Sequence, residues 1–580
     1  MSIQKTQSNK EILRHSTAHV LAAAVLEMFP EAKFGMGPAT SNGFYYDFDL
    51  PRTLIPEDLP ILEEKMQRII GENHKFEKEQ ISTKNAIEHF KKARQLYKVE
   101  IIKDLEKEGS KDVTIYKSGS FVDMCSGPHI DSTGEINQQA LKLTKISGAY
   151  WKGDEKEKQL QRIYGVVFSN KKELKNYLHM LEEAEKRDHK KLGKELDLFS
   201  FHSEAPGSAY WHPKGMIIWN ELEKLGKSLR KKYGNEEIQT PQLAKSSLWK
   251  TSGHWDHYKE SMFHFDVEKE TYCLKPMDCP FNIQIYQTKQ RSYRELPVRY
   301  TETGRVLRNE KSGELNGLFR VRTITQDDAH IFCTEDQVIK EIQSLLRAVI
   351  EYYTVFKIKP VFFLSTRPEN FMGEAKTWTK AEKDLVEALR KEKIKYEVKE
   401  KDGAFYGPKI DLDIEDALGR RWQLATIQLD FQLPQRFGIE YVDKDGKKKM
   451  PIVIHAAIFG GYERFIGILL EHYAGRLPLW LSPVQVMIIP VSEKFSKYAE
   501  KINSKLVDSE IRSVVNNKSE TLGKRISEAE QQKIPYMIVV GEKEEKEESV
   551  TVRERDTKKQ ETMQTDNLLK KVVKEIVEKE

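Results

Sequence analysis

The chain has 580 residues, 95 Lys+Arg against 90 Asp+Glu, and a formal net charge of +5. That length suits roughly three to five domains, and so mild a charge permits an acidic partner without demanding one. The four cysteines (Cys125, Cys273, Cys279, Cys333) argue against a secreted disulfide scaffold, no apolar run reaches bilayer-spanning length, and the opening MSIQKTQSNK lacks a signal-peptide core, so a soluble cytoplasmic protein is expected.

Residues 9–28 carry a helical pattern, with Ile12, Leu13, Val20, Leu21, Val25 and Leu26 on an apolar stripe. A Gly/Pro-rich stretch leads to an aromatic strand at Phe44-Tyr45-Tyr46. Residues 56–108 read as helical and highly charged, and 110–166 as short strands with turns. From Lys171 to Leu196 a long charged helix reads as a linker with a solvated basic face. The region 198–478 mixes strands and helices, and L-P-L-W-L-S-P at 477–483 marks a boundary. Beyond it, strands at 484–491, 511–515 and 536–540 alternate with helices near 493–507 and 519–532, which predicts a small α/β domain with a largely parallel sheet. The last residues, 555–580, end in a charged helix. The expected domains are 1–167, a linker helix 168–192, 193–480 and 481–580.

The densest chemistry lies between Arg305 and Thr334. Arg308, Glu310, Arg320 and Arg322 surround a Gly-containing loop, and Arg320 and Arg322 alternate with Phe319 and Val321, as in a strand–loop–strand hairpin. Gln326, Asp328 and His330 follow at every second position, so they share a strand face. Arginine forks beside such a face suit phosphate and carboxylate.

This hairpin, F-R-V-R-x-x-x-Q-D-D-A-H-I-F, resembles motif 2 of class II aminoacyl-tRNA synthetases, in the threonyl wording. Tyr233–Leu243 resembles motif 1, which builds the dimer interface in that class. Ala457–Leu470, with G-G-x-E-R, resembles motif 3, and puts Arg464 just inside a helix start that favours anions. The resemblance implies that Arg308 holds the α-phosphate of ATP and the amino acid carboxylate. It implies that Glu310 accepts from adenine, and that Arg320 and Arg464 clamp the β- and γ-phosphates with Mg2+. T-S-G-H-W supplies His254, expected near the terminal ribose of tRNA. F-Y-G-P-K supplies Tyr406 and Lys409, and R-W-Q-L-A-T-I-Q supplies Gln423, Thr426 and Gln428.

By spacing alone, Cys279, His330 and His455 would be buried structural residues. The resemblance implies that they hold one Zn2+. Three protein ligands leave zinc open positions, which the threonine amino group and hydroxyl can fill. Valine lacks the hydroxyl, and an apolar pocket alone separates such isosteres only about a hundredfold. Asp328 would accept the substrate hydroxyl, and Gln326 and Tyr406 would orient the amino acid.

Serine also offers an amino group and a hydroxyl, so an editing step is expected. His15 and His19 share a helix face, and Cys125 and His129 form a second pair in D-M-C-S-G-P-H. The four could bind zinc, or could position a seryl ester and a water without metal. The words around them resemble the threonyl editing domain, where the metal-free reading is usual and is preferred here. Lys98 and Asp123 match the same site, and Tyr46 matches it more weakly.

Residues 484–580 resemble the anticodon-binding domain of threonyl, prolyl, histidyl and glycyl enzymes, in which Glu544 and Arg553 would read bases. The whole implies a multidomain α+β and α/β protein: an antiparallel class II core, an α+β editor and an α/β anticodon domain. It also implies ATP, L-threonine and tRNA(Thr) as partners, a homodimer and no membrane. Three departures stand out. The sequence is expected to open directly on the editing domain, without the small N-terminal ubiquitin-like domain of many bacterial members. Pro280-Phe281-Asn282 replaces Pro-Gly-His, and Gly461 stands where Ser is common. Two readings compete: another class II synthetase of the same subgroup, against which the intact Cys279/His330/His455 set and the editor argue, and a non-catalytic or regulatory RNA-binding paralogue, which would be free to lose Arg308 or Arg464.

Overall fold

Helix Asn9–Met28 starts at a capping box: Ser8 accepts from the Glu11 amide, and the Glu11 carboxylate accepts from the Ser8 amide at 2.7 Å. The computed structural model describes residues 8–154 and 156–579, so segment 1–7 of the leader reading lies outside the described residues. The chain forms two compact units, Met1–Glu182 and Glu183–Glu580.

In the first unit, residues 16–22 of that helix are all buried. The expected single stripe is therefore a helix enclosed on every side over this stretch. It packs on helix Asp58–Gly71 and on strands Phe44–Asp49 and Gln159–Val167. Those strands belong to an antiparallel four-stranded sheet, in the order Lys33–Phe34, Phe44–Asp49, Gln159–Val167, Leu141–Tyr150. The all-helical reading of 56–108 needs correction, because Glu77–Ser82 is a strand paired with Asp112–Ser118. Its E-K-E-Q side chains face solvent, so no apolar alternation announced it. Helices Thr83–Lys92 and Leu96–Lys107 share a small core with this second sheet through Phe90, Ile102, Val113 and Ile115.

The expected linker helix is two helices, Lys171–Arg187 and His189–Glu195. Asp188 leaves the helical conformation (φ −50°, ψ 120°), and its carboxylate accepts the amides of Lys190 and Lys191. A carboxylate that bonds its own following amides starts a new helix here.

The second unit is organised by an eight-stranded sheet. Six central strands run antiparallel: Val298–Leu307, Thr323–Cys333, Ile452–Gly461, Arg421–Asp430, Lys409–Glu415 and Pro360–Ser365. Glu236–Glu237, within the motif-1-like segment, adds one parallel edge, and Tyr396–Lys399 adds the other. Helices Pro213–Lys232, Val338–Val355, Ala375–Lys391 and Tyr462–His472 cover the sheet and share its core. The Phe319–Arg322 alternation lies in the loop between two strands, not on a strand. Neighbouring Leu318 and Phe319 are both buried, which a half-buried strand would not allow, and Gly317 turns the chain at φ +49°.

At the C-terminus, Ser513–Val515, Val486–Pro490 and Tyr536–Val540 are parallel, as expected. Ser549–Glu554 and Gln560–Gln564 extend the sheet antiparallel, so it is mixed, and the tail is a strand followed by helix Thr565–Glu578. No helix among the described residues is long and apolar enough to cross a membrane.

Candidate active site and accessory clusters

Arg308, Glu310, Arg320, Gln326, Gln423, Thr426 and Arg464 line one cavity of about 370 Å³. Arg308 follows the strand end, and its amide is fixed by the Arg322 carbonyl at 2.9 Å. Arg464 is the third residue of helix Tyr462–His472, and its Nε donates to the Phe319 carbonyl at 3.0 Å. Burial lowers the pKa of this guanidinium, and nearby Arg308 and Arg320 lower it further. Cations that crowd one another in a partly dry cavity favour a polyanion. Glu310 accepts from Arg320 Nε at 2.8 Å, so these two expected nucleotide contacts are paired with each other.

Asp411 had no motif to mark it. It is fully buried and collects Lys409 Nζ at 2.8 Å, Gln423 Nε2 at 2.6 Å, Thr426 Oγ1 at 3.2 Å and Ser365 Oγ at 2.7 Å. Three expected site residues are thus fastened to one carboxylate, which sits opposite Thr426 in the strand register.

Gln326, Asp328 and His330 alternate along Thr323–Cys333, but the pairing with Ile452–Gly461 slips between Gln326 and Asp328. Asp327, pointing the other way, holds this irregularity. Its carboxylate accepts the amides of Ile458 (2.8 Å) and Gly460 (2.9 Å) and meets Arg230 at 3.3 Å. Gln326 therefore reaches the cationic cavity, while His330 stands directly opposite His455 in the register.

Cys279 opens helix Cys279–Tyr286 beside this pair. The candidate ligand atoms of Cys279, His330 and His455 lie within 4.8 Å of one another, and all three residues are buried. His455 Nε2 meets Asp430 Oδ2 at 2.9 Å, which leaves Nδ1 for a metal. His330 Nε2 is buried with no hydrogen-bond partner. Burial pushes the Cys279 thiol well above its ordinary range, and a cation is what would hold a thiolate there. This donor set fits zinc with an open position. Tyr406 donates to Gln428, and its ring lies 5.5 Å from that of His455.

His254 is buried, with Nδ1 on Ser252 Oγ at 2.8 Å and Nε2 unpartnered. Burial pulls its pKa down to about 4, so it is neutral at pH 7. Both replaced residues of the Pro280-Phe281-Asn282 departure have structural partners. Phe281 packs on Trp249 at 5.6 Å, and Asn282 donates to the Asp278 carbonyl at 3.1 Å. A Cβ at Gly461 would come within 3.2 Å of Ile324, a small adjustment.

In the N-terminal unit, His15, His19, Lys98, Asp123 and Cys125 line a cavity of about 680 Å³. Cys125 Sγ lies 3.2 Å from His15 Nε2 and 3.4 Å from His129 Nε2, and Ser16 Oγ meets His129 Nδ1 at 3.0 Å. Buried Lys98 pairs with Asp123 at 2.7 Å and donates to Tyr46 at 3.0 Å, and Tyr46 in turn donates to Asp123. Burial lowers the pKa of all three imidazoles and raises the Cys125 thiol to about 11. At neutral pH the cluster therefore offers uncharged imidazoles, able to accept a proton or to ligate. The C-terminal pair is less open. Glu544 accepts from Gly541 N and Thr551 Oγ1, and Arg553 pairs with Glu530 at 2.8 Å.

Comparison with known proteins identifies three regions of the chain. Residues 260–473 match the tRNA synthetase class II core domain (G, H, P, S and T), residues 485–575 an anticodon binding domain, and residues 113–164 the threonyl and alanyl tRNA synthetase second additional domain. A threonine–tRNA ligase of Caldanaerobacter subterraneus is 49% identical over 573 residues, covering 99% of this chain and 88% of the relative. One of Clostridioides difficile is 47% identical over 574 residues, covering 99% and 89%. The crystal structure of the RNA binding domain of threonyl-tRNA synthetase from Cryptosporidium parvum Iowa II is 41% identical, with a TM-score of 0.65, and covers 67% of this chain and 98% of that one. With near-half identity over almost the whole length and three domain matches in order, the chain belongs to the threonine–tRNA ligase family of class II aminoacyl-tRNA synthetases.

Proposed function

We propose that the protein activates L-threonine with ATP, transfers it to tRNA(Thr), and hydrolyses mischarged seryl-tRNA(Thr) in its N-terminal unit. The observation that carries this reading is the pairing of a buried Cys/His/His set with an adjoining arginine-lined cavity. Arg308, Arg320 and Arg464 neutralise the phosphates of ATP, with Mg2+, and Glu310 turns from Arg320 to the adenine. Fixed cations at a phosphoryl centre stabilise developing charge without reorganisation. Cys279, His330 and His455 would hold Zn2+, which would supply Lewis-acid recognition of an amino alcohol. Asp328 accepts the substrate hydroxyl, Gln326 and Tyr406 orient the amino acid, and Lys409, Gln423 and Thr426 complete the wall. Neutral His254 faces the tRNA ribose as a hydrogen-bond acceptor.

Residues 1–167 act as the editor, without metal, through His15, His19, Lys98, Asp123, Cys125 and His129. Residues 168–192 link it to the catalytic domain 193–480, and 481–580 bind the anticodon through Glu544 and Arg553 once their intrachain contacts open. A homodimer formed through the motif-1-like segment and a cytoplasmic location complete the proposal. The paralogue reading is disfavoured because Arg308 and Arg464 both line the cavity. ATP–pyrophosphate exchange with threonine, serine and valine tests the assignment. Strong exchange with threonine, weaker exchange with serine and almost none with valine is expected; exchange with no amino acid would overturn it.

A further inference from the structure

His189 opens helix His189–Glu195 and is 1% exposed. Its Nδ1 lies 2.7 Å from Glu471 Oε1, on the motif-3-like helix. A carboxylate requires the proton on Nδ1, so Nε2 is left with a lone pair. That lone pair accepts the Leu318 amide at 3.0 Å. The trio Asp188, His189 and Glu471 has metal-ligand spacing, but both ring nitrogens are taken, so the imidazole serves as a strut.

The strut bears on the loop beside the cationic cavity. The His189 ring lies 4.1 Å from Phe319, which also meets Trp422 at 4.3 Å. A Cβ on Gly317 would fall 2.2 Å from His189 Nε2, so the loop is moulded closely around the imidazole. Phe319 presents its carbonyl to Arg464, and Phe319 and Arg320 line the cavity. Glu471 accepts the His189 amide at 3.1 Å and pairs with Arg420, which fixes the far end.

We propose that His189 is a positioning residue for ATP: through Leu318 it sets the loop that carries Arg320 and orients Arg464, a role that rests on the ATP-site reading above. The test separates the two nitrogens. His189→Asn keeps a donor for Glu471 near the Nδ1 position and loses the acceptor for Leu318. His189→Gln places an amide oxygen near Nε2 and restores that acceptor. In pyrophosphate exchange, H189N should raise KM for ATP about fivefold to tenfold, the equivalent of one lost hydrogen bond, with KM for threonine unmoved. H189Q should return most of it. Amide hydrogen exchange of the 316–322 segment should show lost protection in H189N and regained protection in H189Q. Equal behaviour of the two variants, or a fall in melting temperature with an unchanged KM for ATP, overturns the role. Wild-type protein without threonine-dependent exchange would overturn the ATP-site reading and this role with it. The segment's hydrogen exchange would then still report whether His189 holds the loop.

Discussion

Replacing Asp430 by Asn should weaken zinc binding without unfolding the site. The Asp430 carboxylate is fully buried and does two jobs. Oδ1 accepts the amides of Gln432 at 2.7 Å and Leu433 at 3.0 Å, while Oδ2 faces His455 Nε2 at 2.9 Å. Asparagine keeps one carbonyl oxygen for the turn and offers its NH2 to the imidazole. His455 Nε2 must then accept, which moves the ring proton to Nδ1, the nitrogen left for the metal. Losing a hydrogen bond to a charged group costs about 1.5–3 kcal/mol. Losing such an outer partner typically costs about 10–100-fold in metal affinity, or roughly 1.4–2.7 kcal/mol. The two routes agree on about 2 kcal/mol, near thirtyfold. Competition with a chromophoric zinc chelator measures it directly, and circular dichroism checks the fold. Wild-type zinc affinity in D430N would refute the ligand assignment of His455.

Asp411→Asn should loosen Lys409, Gln423 and Thr426 together and raise KM for ATP in exchange by about tenfold, the cost of one charge-assisted bond; an unchanged KM would mean that these residues do not form the nucleotide wall. His254 predicts a pH signature. Above pH 6.5 the folded and unfolded states are both neutral there. Between 6.5 and about 4 only the unfolded state binds the proton, so about 3 kcal/mol of stability is lost as the pH is lowered through that window. H254Q should lose that part of the slope in urea melts, and an identical slope would refute the buried neutral assignment. Lys98→Met strands buried Asp123 and should destabilise the N-terminal unit by about 3–5 kcal/mol, seen as an earlier melting transition. Cys125→Ala should let seryl-tRNA(Thr) accumulate while threonine exchange stays normal, and undiminished deacylation would remove Cys125 from the editor.

Much of this protein is legible locally. Helix Asn9–Met28 announced itself by its apolar spacing, and strand Tyr536–Val540 by a short β-rich run bounded by turn signals. Motif strings located Arg308, Arg464 and His330, because short-range order along the chain carries them. Local patterns failed where solvent or capping decided. The strand Glu77–Ser82 has a polar sequence, and Asp188 broke a charged run that looked continuous. Tertiary structure alone chose partners. Asp411, Asp430, Asp327 and His189 are ordinary residues until folding brings each to buried donors on another segment. His189 lies 282 positions from Glu471. Spacing gave Cys279, His330 and His455 no metal signature, yet strand register sets His330 against His455. Sequence determines which side chains are available, and burial in one fold determines which must satisfy one another, because an unpaired buried polar group is costly.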